Sequence, residues 1–317
     1  MVVDLLFITP FRHADTFLYP VPSHPDSFSP GRRLRNITIM DRFPSGEDRF
    51  FSGRNRAVAG HILAATLVVV YANTFAIWAW VAALVGSDAA RNLPYLALVL
   101  VLVFVIAGIA RSRAFDWSFF ILGATLAIGA LFLTDPDFPA KRIHVPQYMV
   151  LSLILYRALS YNLQRGNDLC LAAATMATLY GVHDELLQGF HPDRTFGLRD
   201  LGIDAAGALS GALIARAFQP SGNDRARNPL AERDRPGTIA VMAVVAGTAC
   251  LVLPLEGYRD QFIPAWSTLP LLAAGVITAL LVSGDCARSL SFRVFAFAAF
   301  SLLLYPIASH VPTFHFH

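Results

Sequence analysis

From Ala57 onward the chain consists mainly of long apolar runs separated by short polar loops, and this pattern restricts the fold more than any other feature. A helix needs about 20 residues to cross the hydrocarbon core of a bilayer. The pattern therefore predicts an all-α, polytopic transmembrane helix bundle of about nine helices, within a range of about 8–10. The expected spans are 57–85, 93–111, 114–134, 145–163, 168–189, 200–218, 237–255, 267–284 and 289–309.

The composition agrees with a membrane protein. Hydrophobic residues make up 55% of the chain and charged residues only 15%, whereas soluble domains usually contain about 25% charged residues. We expect a multi-pass protein of a bacterial-type inner (plasma) membrane. The three cysteines are widely spaced and form no CxxC pair, so they indicate neither a disulfide framework nor a zinc site.

Residues 1–56 form a long polar segment that is rich in proline and arginine. We interpret it as an irregular cytoplasmic tail. The alternative that it folds onto a partner protein stays open. Its first residues lack the basic region and the long apolar core of a signal peptide, and Met40 is an alternative translation start.

The distribution of Lys and Arg predicts the orientation, because short cytoplasmic loops are enriched in these residues. With a cytoplasmic N-terminus, twelve basic residues of the loops and helix ends fall on the inner side and six on the outer side. This orientation places residues 141–144 and the loop 189–200 together on the outer face. The chain then divides into a tail (1–56), two leading helices (57–114), a central unit (115–218), a cytoplasmic linker (219–236) and three C-terminal helices (237–317).

The stretch 180–211 concentrates carboxylates, histidines, arginines and a glutamine between two apolar runs. Charge at membrane depth is unfavourable and is treated by default as the mark of a functional site. Asp184 and Gln188 are one helical turn apart and share a face with Tyr180, and Glu185 lies about 100° from Asp184 on the same helix. We therefore expect the acidic pair and Gln188 to line one cavity.

The following predicted helix carries two aspartates. Asp200 lies in its first turn, where it either caps the helix or belongs to the site. Asp204 lies one turn deeper, where capping does not explain a carboxylate. We expect Asp204 to pair with Arg194 or Arg199.

Two further features bring helices to this site. Gly207 and Gly211 form a small-xxx-small surface, which predicts close packing of their helix against the preceding one. His144 opens the fourth predicted helix, with Tyr148 one turn later, and the predicted topology places it level with the acidic pair. His144 is therefore either a solvated end residue or part of the site.

The motifs of this region resemble those of the VanZ-like membrane proteins. They are H-x-x-[EQ]-Y, Y-G-x-x-D-E-x-x-Q, a short loop with P-x-R, and D-x-x-x-D-x-x-G-x-x-x-G, and the resemblance covers about 115–218. The sequence departs from the family at Gln147, where glutamate is common, and in the loop HPDR, where PGR is common. The family's named activity is resistance to the glycopeptide antibiotic teicoplanin, so the resemblance implies a role in the cell envelope. It implies as site residues His144, Tyr148, Asp184, Glu185, Gln188, Arg194, Asp200, Asp204 and Gly207.

The first functional hypothesis is an enzyme or lipid-handling protein at the outer leaflet. A carboxylate or the histidine would act as general acid or base, and the catalytic candidates are Asp184, Glu185 and His144. An arginine would bind an anionic head group. Whether the chain catalyses a reaction stays open. The substrate-binding candidates are Tyr148, Gln188, Arg194, Asp200 and Asp204.

We predict no cofactor and no metal site. A divalent metal held by Asp184, Glu185 and His144 is an open alternative, but their spacing is not H-E-x-x-H or a comparably specific motif. The expected partners are membrane lipids. Nucleic acid is not expected, because the basic residues flank the helices and indicate no basic, aromatic-bearing groove.

The second hypothesis is a non-catalytic structural or accessory subunit of a larger membrane protein complex. In this hypothesis Arg194 and Arg199 neutralise the carboxylates and lock the helices together, and other membrane proteins are partners. A transporter is less favoured, because the sequence shows no clear internal repeat and no paired broken helices.

Overall fold

The computed structural model describes residues 46–112, 115–135, 138–163, 166–191, 194–219, 235–282, 289–311 and 316–317. Over these residues the chain is helical and contains no strand, which confirms the all-α prediction. Most of the predicted tail and of the predicted linker 219–236 lies outside the described residues. The longer helices are α1 (Gly46–Ala72), α2 (Thr74–Val85), α3 (Leu93–Arg111), α4 (Trp117–Leu133), α5 (His144–Leu159), α6 (Asn167–Gly189), α7 (Leu198–Ala217), α8 (Arg235–Val252), α9 (Leu269–Leu281) and α10 (Leu290–Phe300).

Several of the described helices are long and apolar enough to cross a membrane, so the chain is a membrane protein. Three shorter apolar helices accompany them, and these include α2 and α4. The count of about nine spans and the cytoplasmic N-terminus stay predictions. The long candidate spans are Gly53–Ala72, Ser87–Arg111, Gly237–Tyr258 and Leu290–Ala308.

The predicted span 57–85 is two helices in the structure, because the helix is interrupted at Asn73. The side-chain amide of Asn73 donates a hydrogen bond to the carbonyl oxygen of Val69 at 2.8 Å. Such bonding to the preceding turn competes with the regular helical pattern. α2 begins at the next residue, and none of its residues is buried. The helix is therefore only partly covered, and large side chains such as Trp80 and Leu84 are exposed.

The centre of the molecule is formed by α5, α6 and α7, whose residues are mostly buried. α7 packs against α4, α5 and α6. The long candidate spans are less buried, with 17% of the most apolar part of Ser87–Arg111 and 39% of that of Gly237–Tyr258 inside the protein. A centre buried in protein and an apolar outer shell are typical of a bundle whose outer helices face lipid.

α7 approaches α5 closely along a face of small residues. A Cβ atom on Gly207 would lie 2.9 Å from the carbonyl oxygen of Val145, and one on Gly211 would overlap the carbonyl oxygen of Met149. Only glycine leaves room for the backbone of α5 at these positions. Both glycines therefore serve helix packing. The expected close packing of α7 against the helix 168–189 is present, but the face with the two glycines meets α5. Periodicity defines which residues share a face and not which helix that face meets.

The last two described residues hold the loop between α6 and α7. The N–H of His317 donates to the carbonyl oxygen of Gly189 at 2.6 Å, and the N–H of Phe196 donates to the carbonyl oxygen of His317 at 2.9 Å. Phe316 is buried, and its ring contacts the rings of Phe190 and Phe196. These contacts fix the loop that follows the acidic end of α6.

Candidate functional site: a buried cluster of histidine and carboxylates

Four buried side chains from three helices meet at one point. His144 opens α5, Asp184 and Glu185 lie near the end of α6, and Asp204 lies in α7. One donor atom from each side chain lies within 4.8 Å of those of the other three. The exposed fraction is 4% for His144 and 0% for each of the three acidic residues. We call these four residues the His–acid cluster.

Two contacts connect α5 to the carboxylates of the other helices. His144 Nδ1 lies 2.8 Å from Asp204 Oδ1. The hydroxyl of Tyr148, one turn further along α5, donates a hydrogen bond to Asp184 Oδ2 at 3.1 Å. α5 therefore supplies one polar partner to α6 and another to α7. Both side chains lie on the face of α5 that its i and i+4 spacing predicts.

Glu185 accepts a hydrogen bond from the first turn of α7. The N–H of Gly197 donates to Glu185 Oε2 at 3.3 Å, and Gly197 is the N-cap of α7. A carboxylate is favourable there, because the helix N-terminus carries free N–H groups and partial positive charge. Asp200 lies in the first turn of α7 as expected, but the contact to the N–H of Gly197 comes from Glu185 of the neighbouring helix.

Asp204 enters the cluster because α6 has a glycine opposite it. A Cβ atom on Gly181 would lie 3.0 Å from Asp204 Cβ and 3.2 Å from both Asp204 Oδ2 and the ring of Tyr148. A larger side chain would push these groups away from α6. Gly181 was not among the predicted site residues, although the motif Y-G-x-x-D-E contains it.

Two cations lie beside the cluster. Lys141 Nζ lies 2.5 Å from Asp200 Oδ2, and Arg194 donates a hydrogen bond to Gln188 Oε1. The guanidinium of Arg194 also lies 3.9 Å from the ring centroid of Phe75 in α2. Burial lowers the pKa of Arg194, and the nearby carboxylates oppose this shift. Arg194 remains a cation, because the guanidinium of arginine keeps its proton in proteins. Lys141 and Phe75 were not among the predicted site residues.

The partner expected for Asp204 was wrong. Asp204 pairs with His144 rather than with Arg194 or Arg199, because α7 packs against α5, whose first residue is His144. Arg199 Nη1 instead lies 3.7 Å from Asp135 Oδ2, at the end of α4. The structure thus brings together five predicted site residues and places three more beside them. The five are His144, Tyr148, Asp184, Glu185 and Asp204, and the three are Gln188, Arg194 and Asp200.

An open crevice of about 730 Å³ runs along another face of α6, between α6, α1 and the C-terminal helices. His183, the residue before Asp184, lines it, and His183 Nδ1 lies 3.0 Å from the hydroxyl of Tyr305. Tyr180 also lines the crevice, although the helical spacing had predicted it on the face of Asp184 and Gln188. Most of the other lining residues are apolar, including Val58, Ile62, Ala65, Leu187, Val294 and Phe297.

The His–acid cluster contains more acidic than basic groups. The second oxygen of each carboxylate is buried and has no hydrogen-bond donor among the described residues; these atoms are Asp184 Oδ1, Glu185 Oε1 and Asp204 Oδ2. Like charges in close contact are unfavourable away from water. The cluster must therefore retain protons or bind a cation. Both properties suit acid–base chemistry or the binding of a charged ligand.

We compared the chain with protein-family models, with curated proteins and with solved structures, and none of the three comparisons gave a match.

Proposed function

We propose that the chain is a VanZ-like, multi-pass protein of a bacterial-type inner membrane that handles an anionic lipid or lipid-linked precursor of the cell envelope. The N-terminus is cytoplasmic in this proposal, and the His–acid cluster lies towards the outer face. The observation that carries the proposal is the convergence of His144, Asp184, Glu185 and Asp204 beside two cations.

The cations beside the cluster support an anionic ligand. Lys141 is about a quarter exposed, with 28% of its side chain accessible. Arg194 presents a planar guanidinium, which suits two-pronged contacts to a carboxylate or a phosphate. A head group that approaches from the outer face would meet these cations first and the carboxylates behind them. Lys141 and Arg194 would exchange their present partners for the ligand.

The crevice supports an amphipathic ligand. α6 carries Asp184 and Glu185 on one face and lines an apolar crevice with Tyr180, His183 and Leu187 on another. A lipid has the same two parts, a charged head and an apolar chain. One helix of the protein therefore offers a surface to each part of such a molecule.

The roles in the proposal follow from the contacts. Asp184, Glu185 and His144 are the candidates for proton transfer, because they are buried and close together. The remaining five predicted residues, including Asp204, would bind and orient the head group. Tyr148 orients Asp184 through its hydroxyl.

The proposal is tested by purifying the protein from its native membrane in mild detergent and identifying the bound lipids by mass spectrometry. We expect one anionic lipid to be enriched over the bulk membrane, and Arg194→Gln to reduce that enrichment about tenfold. Arg91→Gln is the matched control, since Arg91 is an exposed arginine on the predicted outer side. A lipid profile equal to that of the bulk membrane for the wild-type protein would contradict the proposal.

A second candidate is a non-catalytic subunit of a larger membrane complex, and α2 favours it. No residue of this apolar helix is buried, and its exposed side, which includes Ile77, Trp80 and Leu84, is available to lipid or to another membrane protein. The same purification distinguishes the candidates, because a stoichiometric set of partner proteins without an enriched lipid supports the subunit. The ion-pair lock would then involve pairs other than those expected, such as Lys141–Asp200 and Arg199–Asp135.

A further inference from the structure

We infer that the His–acid cluster is the binding site of one divalent transition-metal ion, with His144, Asp184, Glu185 and Asp204 as the protein ligands. This inference goes beyond the proposed function and does not depend on it, since metal binding is measured without any lipid. It differs from the sequence-based expectation that the chain has no metal site.

The distances between the donor atoms of the cluster suit a single metal ion. Zinc and magnesium bind oxygen and nitrogen ligands at about 2.0–2.2 Å. Ligands at that distance are about 3.4 Å apart in a tetrahedral site and at most about 4.3 Å apart in an octahedral one. The four donor atoms of the cluster lie within 4.8 Å of one another. Small side-chain rotations would therefore bring all four onto a single ion.

In the described part of the chain, three carboxylate oxygens of the cluster have no hydrogen-bond donor. Asp184 Oδ1, Glu185 Oε1 and Asp204 Oδ2 are buried without a hydrogen-bond donor among the described residues. A buried polar atom without a partner is unfavourable, and native proteins seldom keep three of them together. A metal ion would satisfy all three oxygens at once, which no single amide or hydroxyl donor could do.

The net charge of the cluster also favours a bound cation. Three carboxylates around one imidazole leave an excess of negative charge, and neither nearby cation is paired with them. Lys141 pairs with Asp200, and Arg194 donates its hydrogen bond to Gln188. A divalent ion offsets most of this excess inside the protein.

The donor types identify the class of metal. One imidazole nitrogen with three carboxylate oxygens suits zinc, manganese or iron in the divalent state. Calcium needs six to eight oxygen ligands and magnesium usually keeps several waters, so both fit this buried, four-residue set less well. Tyr148 and the N–H of Gly197 already hold Asp184 and Glu185 in place. Outer hydrogen bonds of this kind orient ligands in known metal sites.

The inference is tested on the full chain, purified without a polyhistidine tag, treated with a chelator and titrated with ZnCl₂ or MnCl₂ alone. We expect one ion per chain by elemental analysis after removal of excess metal. Glu185→Gln and Asp204→Asn should each weaken binding at least tenfold. Glu256→Gln and His317→Ala are the matched controls, because both residues lie outside the cluster, and they should leave binding unchanged.

A measurement on the wild-type protein covers the case in which the cluster variants do not fold. Pulsed electron paramagnetic resonance of the Mn²⁺-loaded chain should show coupling to one imidazole nitrogen, from His144. Wild-type protein that retains no metal, or bound Mn²⁺ without a nitrogen coupling, would overturn the inference. In that case the cluster holds protons instead.

Discussion

Gly211→Ala is the substitution that tests most directly whether α5 and α7 must be in close contact. The added Cβ would overlap the carbonyl oxygen of Met149 and lie 2.8 Å from Met149 Cα and 2.9 Å from its carbonyl carbon. All three neighbours are backbone atoms of α5, so no side-chain rotation relieves the overlap. The two helices must move apart, and overpacking of this kind costs about 1–3 kcal/mol. We expect the melting temperature in detergent to fall by several degrees.

The matched control is Gly202→Ala in the same helix. A Cβ atom there has no heavy atom within 4 Å, and alanine is the better helix former by about 0.5–1 kcal/mol. Gly202→Ala should therefore leave the melting temperature unchanged or raise it. The assay is thermal unfolding of both variants in the same detergent. Equal melting temperatures for the two variants would refute the argument that the α5–α7 contact requires glycine.

Three further results are expected. Tyr148→Phe removes the donor to the buried Asp184 and should lower the free energy of unfolding by about 1–3 kcal/mol; an unchanged denaturant midpoint would contradict this contact. Phe316→Ala should make the loop between α6 and α7 more sensitive to limited proteolysis, because the ring packs against that loop. Cleavage at the wild-type rate would contradict a role of Phe316 in holding the loop. Asp88 and Ser112 are each replaced by a single cysteine in a cysteine-free background. A membrane-impermeant thiol reagent should label position 88 in intact cells and position 112 only after the cells are opened; the reverse pattern would refute a cytoplasmic N-terminus.

Much of the fold could be predicted from hydropathy, because the energetic demand of a bilayer acts directly on each residue of a span. Every predicted run overlaps a described helix. Asn73 shows where this reasoning stops. A single polar residue changes the mean hydropathy of an apolar run only slightly. The side chain of Asn73, however, donates a hydrogen bond to the carbonyl oxygen of Val69, and a new helix begins directly after it.

The members of the site were easier to predict than their partners. Helical spacing placed Asp184 and Gln188 on one face of α6, and His144 and Tyr148 on one face of α5, because such spacing is a local property of the chain. The pairing of Asp204 depends on which helix its own helix meets. Which helices meet depends on the close contacts of small residues such as glycine, and the spacing of polar residues does not predict these contacts.

The burial of α5, α6 and α7 at the centre of the molecule has a consequence for biogenesis. None of these three helices is among the described segments that are long and apolar enough to span a membrane by themselves. A carboxylate opposes the insertion of an isolated helix, with an upper limit of about 2.5–3.5 kcal/mol for an aspartate at the helix centre. The central helices should therefore enter the bilayer only together with their apolar neighbours, and the carboxylates would meet His144 while the chain is still being assembled.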